Sequence, residues 1–93
     1  MSVLLIGYDL NKPRGERDYP NLIKAIKESF GTWWHNLDST WLVVTDQTVV
    51  QVRDALSPYL DSGDELLVVR LSQGEWASWG FTEKAVQWLH NNA

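Results

Sequence analysis

The sequence predicts a small α+β domain built on a four-stranded antiparallel sheet. Short runs rich in Val, Leu, Ile and Trp alternate with segments of helical apolar spacing, in the order strand, helix, strand, strand, helix, strand, helix. Two right-handed βαβ crossovers in this order interleave into one sheet with both main helices on one face, which is the ferredoxin-like βαββαβ arrangement. The 93 residues fit one domain, 1–93. We divide it into a core at 1–71, a tryptophan-rich loop at 72–80 and an extra C-terminal helix at 81–92.

The first strand and helix are predicted from apolar pattern and turn residues. Ser2 to Tyr8 is too short and too uniformly apolar for an amphipathic helix, so it is predicted to be a central, buried strand that ends at Asp9. Turn residues follow at 11–15, and Asp18 stands where a helix N-cap is expected. Apolar residues then recur at helical spacing until Gly31, which is placed to end the helix.

The middle of the chain predicts a hairpin and a second helix. Thr32 to Leu37 and Thr40 to Thr45 are rich in aromatic and β-branched residues and are separated by two turn residues, which is typical of an antiparallel hairpin. Asp46 is the predicted N-cap of a helix over Gln47 to Leu60. Pro58 is expected to shorten or bend the last turn of that helix.

The C-terminal third predicts a last strand, an ordered loop and a last helix. Glu65 to Leu71 is the fourth strand, and 72–80 is a loop without clear periodicity. Thr82 is the predicted N-cap of the terminal helix. Because both main helices lie on one face of the sheet, the second face needs a cover, which is either the terminal helix or a second subunit.

Composition narrows the possible functions. The chain has no cysteine, which excludes a cysteine nucleophile and a thiolate metal site and favours a reducing, cytoplasmic setting. The apolar start lacks a basic leader, and no apolar run is long enough for a bilayer helix, so neither export nor a membrane role is expected. A net charge of -4 disfavours non-specific nucleic-acid binding, although the first third of the chain is rich in Lys and Arg.

Several motifs resemble known families. These are Leu5-Ile6-Gly7-Tyr8-Asp9-Leu10, Gly31-Thr32-Trp33-Trp34-His35, Asp38-Ser39-Thr40-Trp41-Leu42 and the tryptophan-rich loop. A first strand ending in Tyr-Asp, a basic loop, a helix stopped by glycine and such a hairpin resemble the second core CRISPR-associated protein, a small metal-dependent nuclease and scaffold, over 1–71. A group of short bacterial proteins labelled SinR-like is similar over nearly the whole chain.

The resemblance implies a metal site at Asp9. In the CRISPR family the matching aspartate binds Mg²⁺ across a homodimer interface, so Asp9 is the candidate catalytic residue and metal ligand. Lys12, Arg14 and Arg17 follow in the same loop and could hold the phosphate backbone of RNA or DNA. The alternatives are that Asp9 caps the loop through the backbone amides of Asn11 or Lys12, and that the loop cations are merely solvated.

The tryptophans are candidate interface residues. The five are Trp33, Trp34, Trp41, Trp76 and Trp79. The first three could instead stack nucleic-acid bases, but Trp33 and Trp34 are adjacent in a strand and must face opposite sides of the sheet. One of this pair is therefore core, and the other lies on the opposite face, where it could bury a subunit contact. Trp76 and Trp79 could also simply pin their loop.

Two functions follow from these observations, and the sequence leaves open whether the chain is an enzyme. The first is a homodimeric, Mg²⁺-dependent endonuclease, or a protein derived from one, that acts on RNA or DNA through Asp9. The second is a non-catalytic dimerisation or adaptor domain that binds a protein partner through the sheet face and the tryptophan-rich loop. No phosphate-binding glycine loop, dinucleotide fingerprint or His-Glu-x-x-His motif supports another enzyme class.

Overall fold

The computed structural model describes residues 1–11 and 19–93, except that the side chain of residue 19 is not described. This part of the chain is a small α+β fold with four strands and three α-helices. The strands are β1 (Ser2–Asp9), β2 (Trp33–Leu37), β3 (Thr40–Thr45) and β4 (Glu65–Arg70). The α-helices are α1 (Tyr19–Ser29), α2 (Val49–Leu56) and α3 (Glu83–Asn92). None of these helices is long and apolar enough to cross a membrane.

The four strands form one antiparallel sheet in the order β2-β3-β1-β4. β1 lies inside the sheet, where Ile6 faces Trp41 on one side and Val68 on the other. The prediction of an interior first strand is therefore confirmed. Asp9 is the last residue of this strand, as predicted, and it pairs with Glu65.

The first face of the sheet carries the main core under α1 and α2. Its largest fully buried side chains are Leu4, Ile6, Leu22, Ile26, Trp41, Val43, Val52 and Leu56. Because side chains alternate along a strand, the core residues of β1 and β3 all point to this face of the sheet. The apolar stripe predicted for α1 packs against them. The indole nitrogen of Trp41 donates a hydrogen bond of 3.1 Å to the hydroxyl of Tyr8, which satisfies a buried polar group.

The second face is covered in part by α3, which begins after Thr82 as predicted. The side chain of Thr82 accepts a hydrogen bond from the amide of Ala85, so it is an N-cap. The buried residues of this layer are Val3, Trp34, Leu42, Ala85, Leu89 and Ala93. The Trp34 indole donates to the carbonyl of Ala85 at 3.2 Å, which ties β2 to α3. The terminal helix is thus one cover of this face.

The start of α2 corrects a prediction. The helix begins at Val49, and its N-cap is Thr48 rather than Asp46. The Thr48 hydroxyl accepts from the amide of Gln51 at 3.1 Å, and the Gln51 side chain accepts from the amide of Thr48 at 2.8 Å. This reciprocal capping box satisfies two amides that the first helical turn leaves unpaired, which Asp46 alone could not do. The backbone amide of Gln47 donates to the hydroxyl of Thr45.

The end of α2 and two strand bounds also differ from prediction. The helix ends at Leu56 rather than at Leu60, and a 3-10 turn at Ser57–Tyr59 follows it. The shortening expected from Pro58 is therefore confirmed. Pro58 lies at the start of that turn, where its missing amide costs no helical hydrogen bond. β2 begins at Trp33 and β4 ends at Arg70, each one residue inside the predicted range. The N-cap predicted at residue 18 lies outside the described residues.

Candidate functional site

The β4 side of the second face is the most exposed apolar part of the sheet. Leu66 and Val68 pack on the main core, so alternation turns Leu67 and Val69 to the second face. There Leu67 is 61% exposed and Val69 is 40% exposed. Gly7 lies opposite Leu67 and has no side chain to cover it. We call Leu67, Val69 and the neighbouring surface of Gly7 the uncovered strip.

A shallow depression of about 310 Å³ opens beside this strip. Its lining residues are Gly7, Tyr8, Asp9, Glu65, Leu66 and Leu67. Asp9 and Glu65 lie directly opposite each other on β1 and β4, and both are exposed. Side chains in that relation have Cβ atoms roughly 5 Å apart, so the two carboxylates can approach a common ion. The structure thus adds Glu65, which the sequence did not single out, to the site predicted at Asp9.

This carboxylate pair supplies few ligands for a metal ion. Mg²⁺ binds one or two protein carboxylates and completes its shell with water or phosphate oxygens, so Asp9 and Glu65 fit that preference. Within residues 1–11 and 19–93 no group of three or more His, Cys, Asp or Glu side chains could hold a metal ion. Among the described residues, Asp9 and Glu65 are the two carboxylates that line this depression.

The carboxylate of Asp64 holds the backbone just after Asp9. Asp64 accepts hydrogen bonds of 2.8 Å from the amides of both Asn11 and Asp61. The side-chain amide of Asn11 also donates to the carbonyl of Gly63. Gly63 has φ +91, and a Cβ there would lie 2.6 Å from the amide nitrogen of the Asn11 side chain. The Asn11 amide thus binds Asp64, which is evidence against capping by Asp9 through that amide. The other predicted amide, that of Lys12, lies outside the described residues.

The basic residues predicted to bind nucleic acid cannot be placed beside the carboxylates. Lys12, Arg14 and Arg17 lie outside the described residues. Two further bases of the N-terminal third, Lys24 and Lys27, are exposed on α1, which packs on the other face of the sheet from the uncovered strip. The Lys24 ammonium lies 3.9 Å from a carboxylate oxygen of Glu28. The Lys27 ammonium lies 5.2 Å from the centre of the Trp33 ring.

The five candidate tryptophans differ widely in accessibility. Trp41 is fully buried in the main core, and Trp34 is buried beneath α3. Trp33 faces the other side from Trp34, is 37% exposed and lies 5.3 Å from Trp41. Trp76 is half-buried against α3, with its ring 5.1 Å from that of His90. Trp79 is 94% exposed, so of the five it offers the most surface to a partner.

Sequence reasoning missed the apolar members of the site because of how β4 is placed. An unbroken apolar run from Leu66 to Val69 is typical of a strand buried on both faces, whereas here α3 leaves one face open. The acidic Glu65 and basic Arg70 that bound the run were the available signal of a strand at the sheet edge. No family model matches this chain, and no solved structure matches it significantly. The kinship to SinR-like and CRISPR-associated proteins stays a prediction.

Proposed function

We propose that this chain is a non-catalytic, ferredoxin-like adaptor domain that binds a protein partner through the uncovered strip. The observation that carries the proposal is the exposure of Leu67 and Val69 on a sheet face that α3 covers elsewhere. Burying the exposed remainder of both side chains would contribute roughly 2 kcal/mol, before any contact with the neighbouring carboxylates. The charged pair Asp9 and Glu65 borders one end of this apolar strip, and charged groups at the margin of an apolar centre are typical of protein interfaces.

The arrangement of the sheet supports the ferredoxin-like part of this proposal. The order β2-β3-β1-β4, read from the other edge, is the order that two interleaved βαβ units produce. α1 and α2 contribute to a core on the same face, as that topology requires. α3 is then the extra C-terminal helix. The absence of cysteine from the sequence supports a reducing cytoplasm as the setting.

The tryptophan-rich segment supports the adaptor role. It follows β4 closely, and it is held by the packing of Trp76 on α3 and by a hydrogen bond of 2.7 Å from the amide of Gly74 to the carbonyl of Ala93. Trp79 is 94% exposed, and tryptophan is among the side chains that contribute most to protein interfaces when buried. The uncovered strip and Trp79 are thus the two predicted contact points.

Site-specific photocrosslinking tests the proposal. A benzophenone amino acid is placed at Leu67, at Trp79 or, as a control on the other face, at Lys24, in cells that produce the chain at its natural level. We expect a discrete adduct with another protein at the first two positions and none at Lys24. The purified partner should then bind Leu67→Asp at least about tenfold more weakly than the unmodified chain or Lys24→Glu. Adducts that contain only the chain itself, or equal labelling at all three positions, would contradict the proposal.

The opposed carboxylates favour a second candidate function, an Mg²⁺-dependent nuclease. Asp9 and Glu65 would hold the ion, which when bound would supply Lewis-acid activation at a phosphodiester. Cleavage of RNA and DNA is assayed with Mg²⁺ for the unmodified chain, Asp9→Ala and the control Glu28→Ala, an exposed acid on α1. The candidate requires cleavage that Asp9→Ala abolishes and Glu28→Ala preserves. Cleavage that survives Asp9→Ala, or no cleavage at all, rejects it.

A further inference from the structure

The uncovered strip continues across the sheet as one row of side chains. On β1, Gly7 lies between Leu67 of β4 and Thr40 of β3. Thr40 in turn lies opposite Leu37 of β2, so the row crosses all four strands. Thr40 alternates with Trp41, which belongs to the main core, so the row faces the second side of the sheet. We call Leu37, Thr40, Gly7 and Leu67 the cross-sheet row.

The cross-sheet row is low in the middle and high at both ends. Its ends are Leu37, which is 45% exposed, and Leu67, which is 61% exposed. Between them lie Gly7, which has no side chain, and Thr40, which is small and half-buried. The two leucines are three strand spacings apart, roughly 14 Å, which is the length of about nine residues of α-helix. A helix that lies along the row can therefore contact both leucines.

The row runs alongside α3 at the spacing of packed helices. α3 crosses the strands, because its start is tied to Trp34 on β2 and its end lies beside Val3 on β1. Along the strands, the row is two residues from Leu42 and four residues from Val3, which is roughly 7 to 13 Å. Helices packed side by side have axes roughly 8 to 10 Å apart. The row therefore leaves room for one further helix beside α3.

Two carboxylates lie beside the β1 and β4 end of the row. Asp9 and Glu65 point to the same face as the row, two residues beyond Gly7 and Leu67, which is roughly 7 Å. Like charges directly opposite each other in a sheet repel, and among the described residues neither carboxylate has an ion-pair partner. An arginine can donate to both carboxylates at once, because its guanidinium carries five donors in a planar fork. The charge beside the row is thus complementary to a basic side chain.

We propose that the row binds an amphipathic helix of the protein partner, whose apolar side chains contact Leu37 and Leu67 and whose arginine binds Asp9 and Glu65. This helix belongs to the partner in the adaptor function proposed above, so its assignment rests on that function. The arginine lies within one helical turn of the side chain that contacts Leu67. A second copy of the chain is a poorer occupant, because the apolar sides of α1, α2 and α3 are already buried in the two cores. A metal ion at the carboxylates would leave both leucines exposed.

Peptide display on the purified full chain tests the chemistry of this helix. Random peptides of about 16 residues, or about 24 Å of helix, are selected in parallel on the unmodified chain and on a chain that carries both Asp9→Lys and Glu65→Lys. We expect apolar residues at helical spacing from both selections, with a basic residue one turn from them on the unmodified chain and an acidic residue there on the variant. A misfolded variant could not acquire that acidic preference. Peptides without helical spacing, the same charge preference on both chains, or no enrichment would each overturn the proposal.

Two matched pairs of variants then locate the selected peptide on the sheet. Leu37→Asp changes the far end of the row, outside the uncovered strip, and should weaken binding at least about tenfold. Val50→Asp makes the same kind of change at a half-exposed position on α2 and should not. Glu65→Lys should weaken binding by a similar factor, whereas Glu28→Lys on α1 should leave it unchanged. Equal effects within either pair would show that the peptide binds elsewhere and would overturn the proposal.

Crosslinks in cells separate failure of this proposal from failure of the adaptor function. Partner adducts at Leu67 and Trp79 decide the adaptor function, and mass spectrometry of the crosslinked partner segment decides the helix. We expect a segment with a basic residue within one turn of the attachment point, whose synthetic peptide gains helical circular dichroism on binding. An adduct segment that stays extended or lacks a basic residue overturns the helix and leaves the adaptor function standing. Selected peptides that obey the pattern, without any partner adduct in cells, would support the helix site and contradict the adaptor function.

Discussion

Replacing Gly63 by alanine should destabilise the domain in two separable ways. The residue has φ +91, where a Cβ is strained by about 1 kcal/mol, and the new methyl group would lie 2.6 Å from the Asn11 side-chain nitrogen. Because Asn11 must move, its hydrogen bond to the Gly63 carbonyl is lost, at a net cost of about 1 kcal/mol. The expected total is about 2 kcal/mol. That is a measurable share of the roughly 5 to 14 kcal/mol expected for 93 residues.

Two controls separate the backbone contribution to this loss of unfolding free energy from the contribution of the Asn11 contact. Gly74 also has a positive φ, +78, but an added Cβ would meet nothing within 4 Å, so Gly74→Ala should cost only the conformational part. In an Asn11→Ala background, Gly63→Ala should likewise fall to about 1 kcal/mol, because the clashing group is gone. Urea unfolding of the four variants measures each step. The reasoning is refuted if Gly63→Ala costs no more than Gly74→Ala, or if Asn11→Ala leaves its cost unchanged.

Two further predictions concern polar contacts of the fold. Thr48→Ala should lower the free energy of unfolding by about 1 kcal/mol through loss of the capping box, whereas Asp46→Ala should change it by less than about 0.5 kcal/mol; equal costs in urea unfolding would argue against Thr48 as the cap. Tyr8→Phe removes the acceptor that the buried Trp41 indole uses and should cost about 1 to 3 kcal/mol by the same assay; a neutral effect would show that the indole finds another acceptor.

Local sequence patterns predicted the order of strands and helices, but they did not identify the N-cap of α2. Asp46 and Thr48 are both good N-cap residues, two positions apart. The structure selects Thr48 because Gln51 stands three residues later and completes the box, while Thr45 takes the amide of Gln47. The interior position of β1 could be predicted from its uniform apolar run, since such a run needs cover on both faces.

The exposure of β4 could not be predicted by the same logic. Its apolar run, from Leu66 to Val69, is like that of β1. Whether the second-face side chains of β4 are buried depends on the position of α3, which packs over Trp34 and Leu42, nearer the other edge of the sheet. The pairing of Asp9 with Glu65 likewise depends on register between strands more than fifty residues apart. Burial of Trp41 rather than Trp33 follows from which strand is interior, a property of topology and not of residue type.

α3 packs on the second face of the sheet and makes no part of the main core on the first face. The helix is the last element in sequence, and the core on the first face does not include it. Partial unfolding that releases α3 would leave the sheet and the main core assembled, so it should need less free energy than global unfolding. In that open form Trp34 and Leu42 would join Leu67 and Val69 in one apolar surface running from edge to edge of the sheet. Release of α3 would therefore widen the apolar surface that the second face of the sheet exposes.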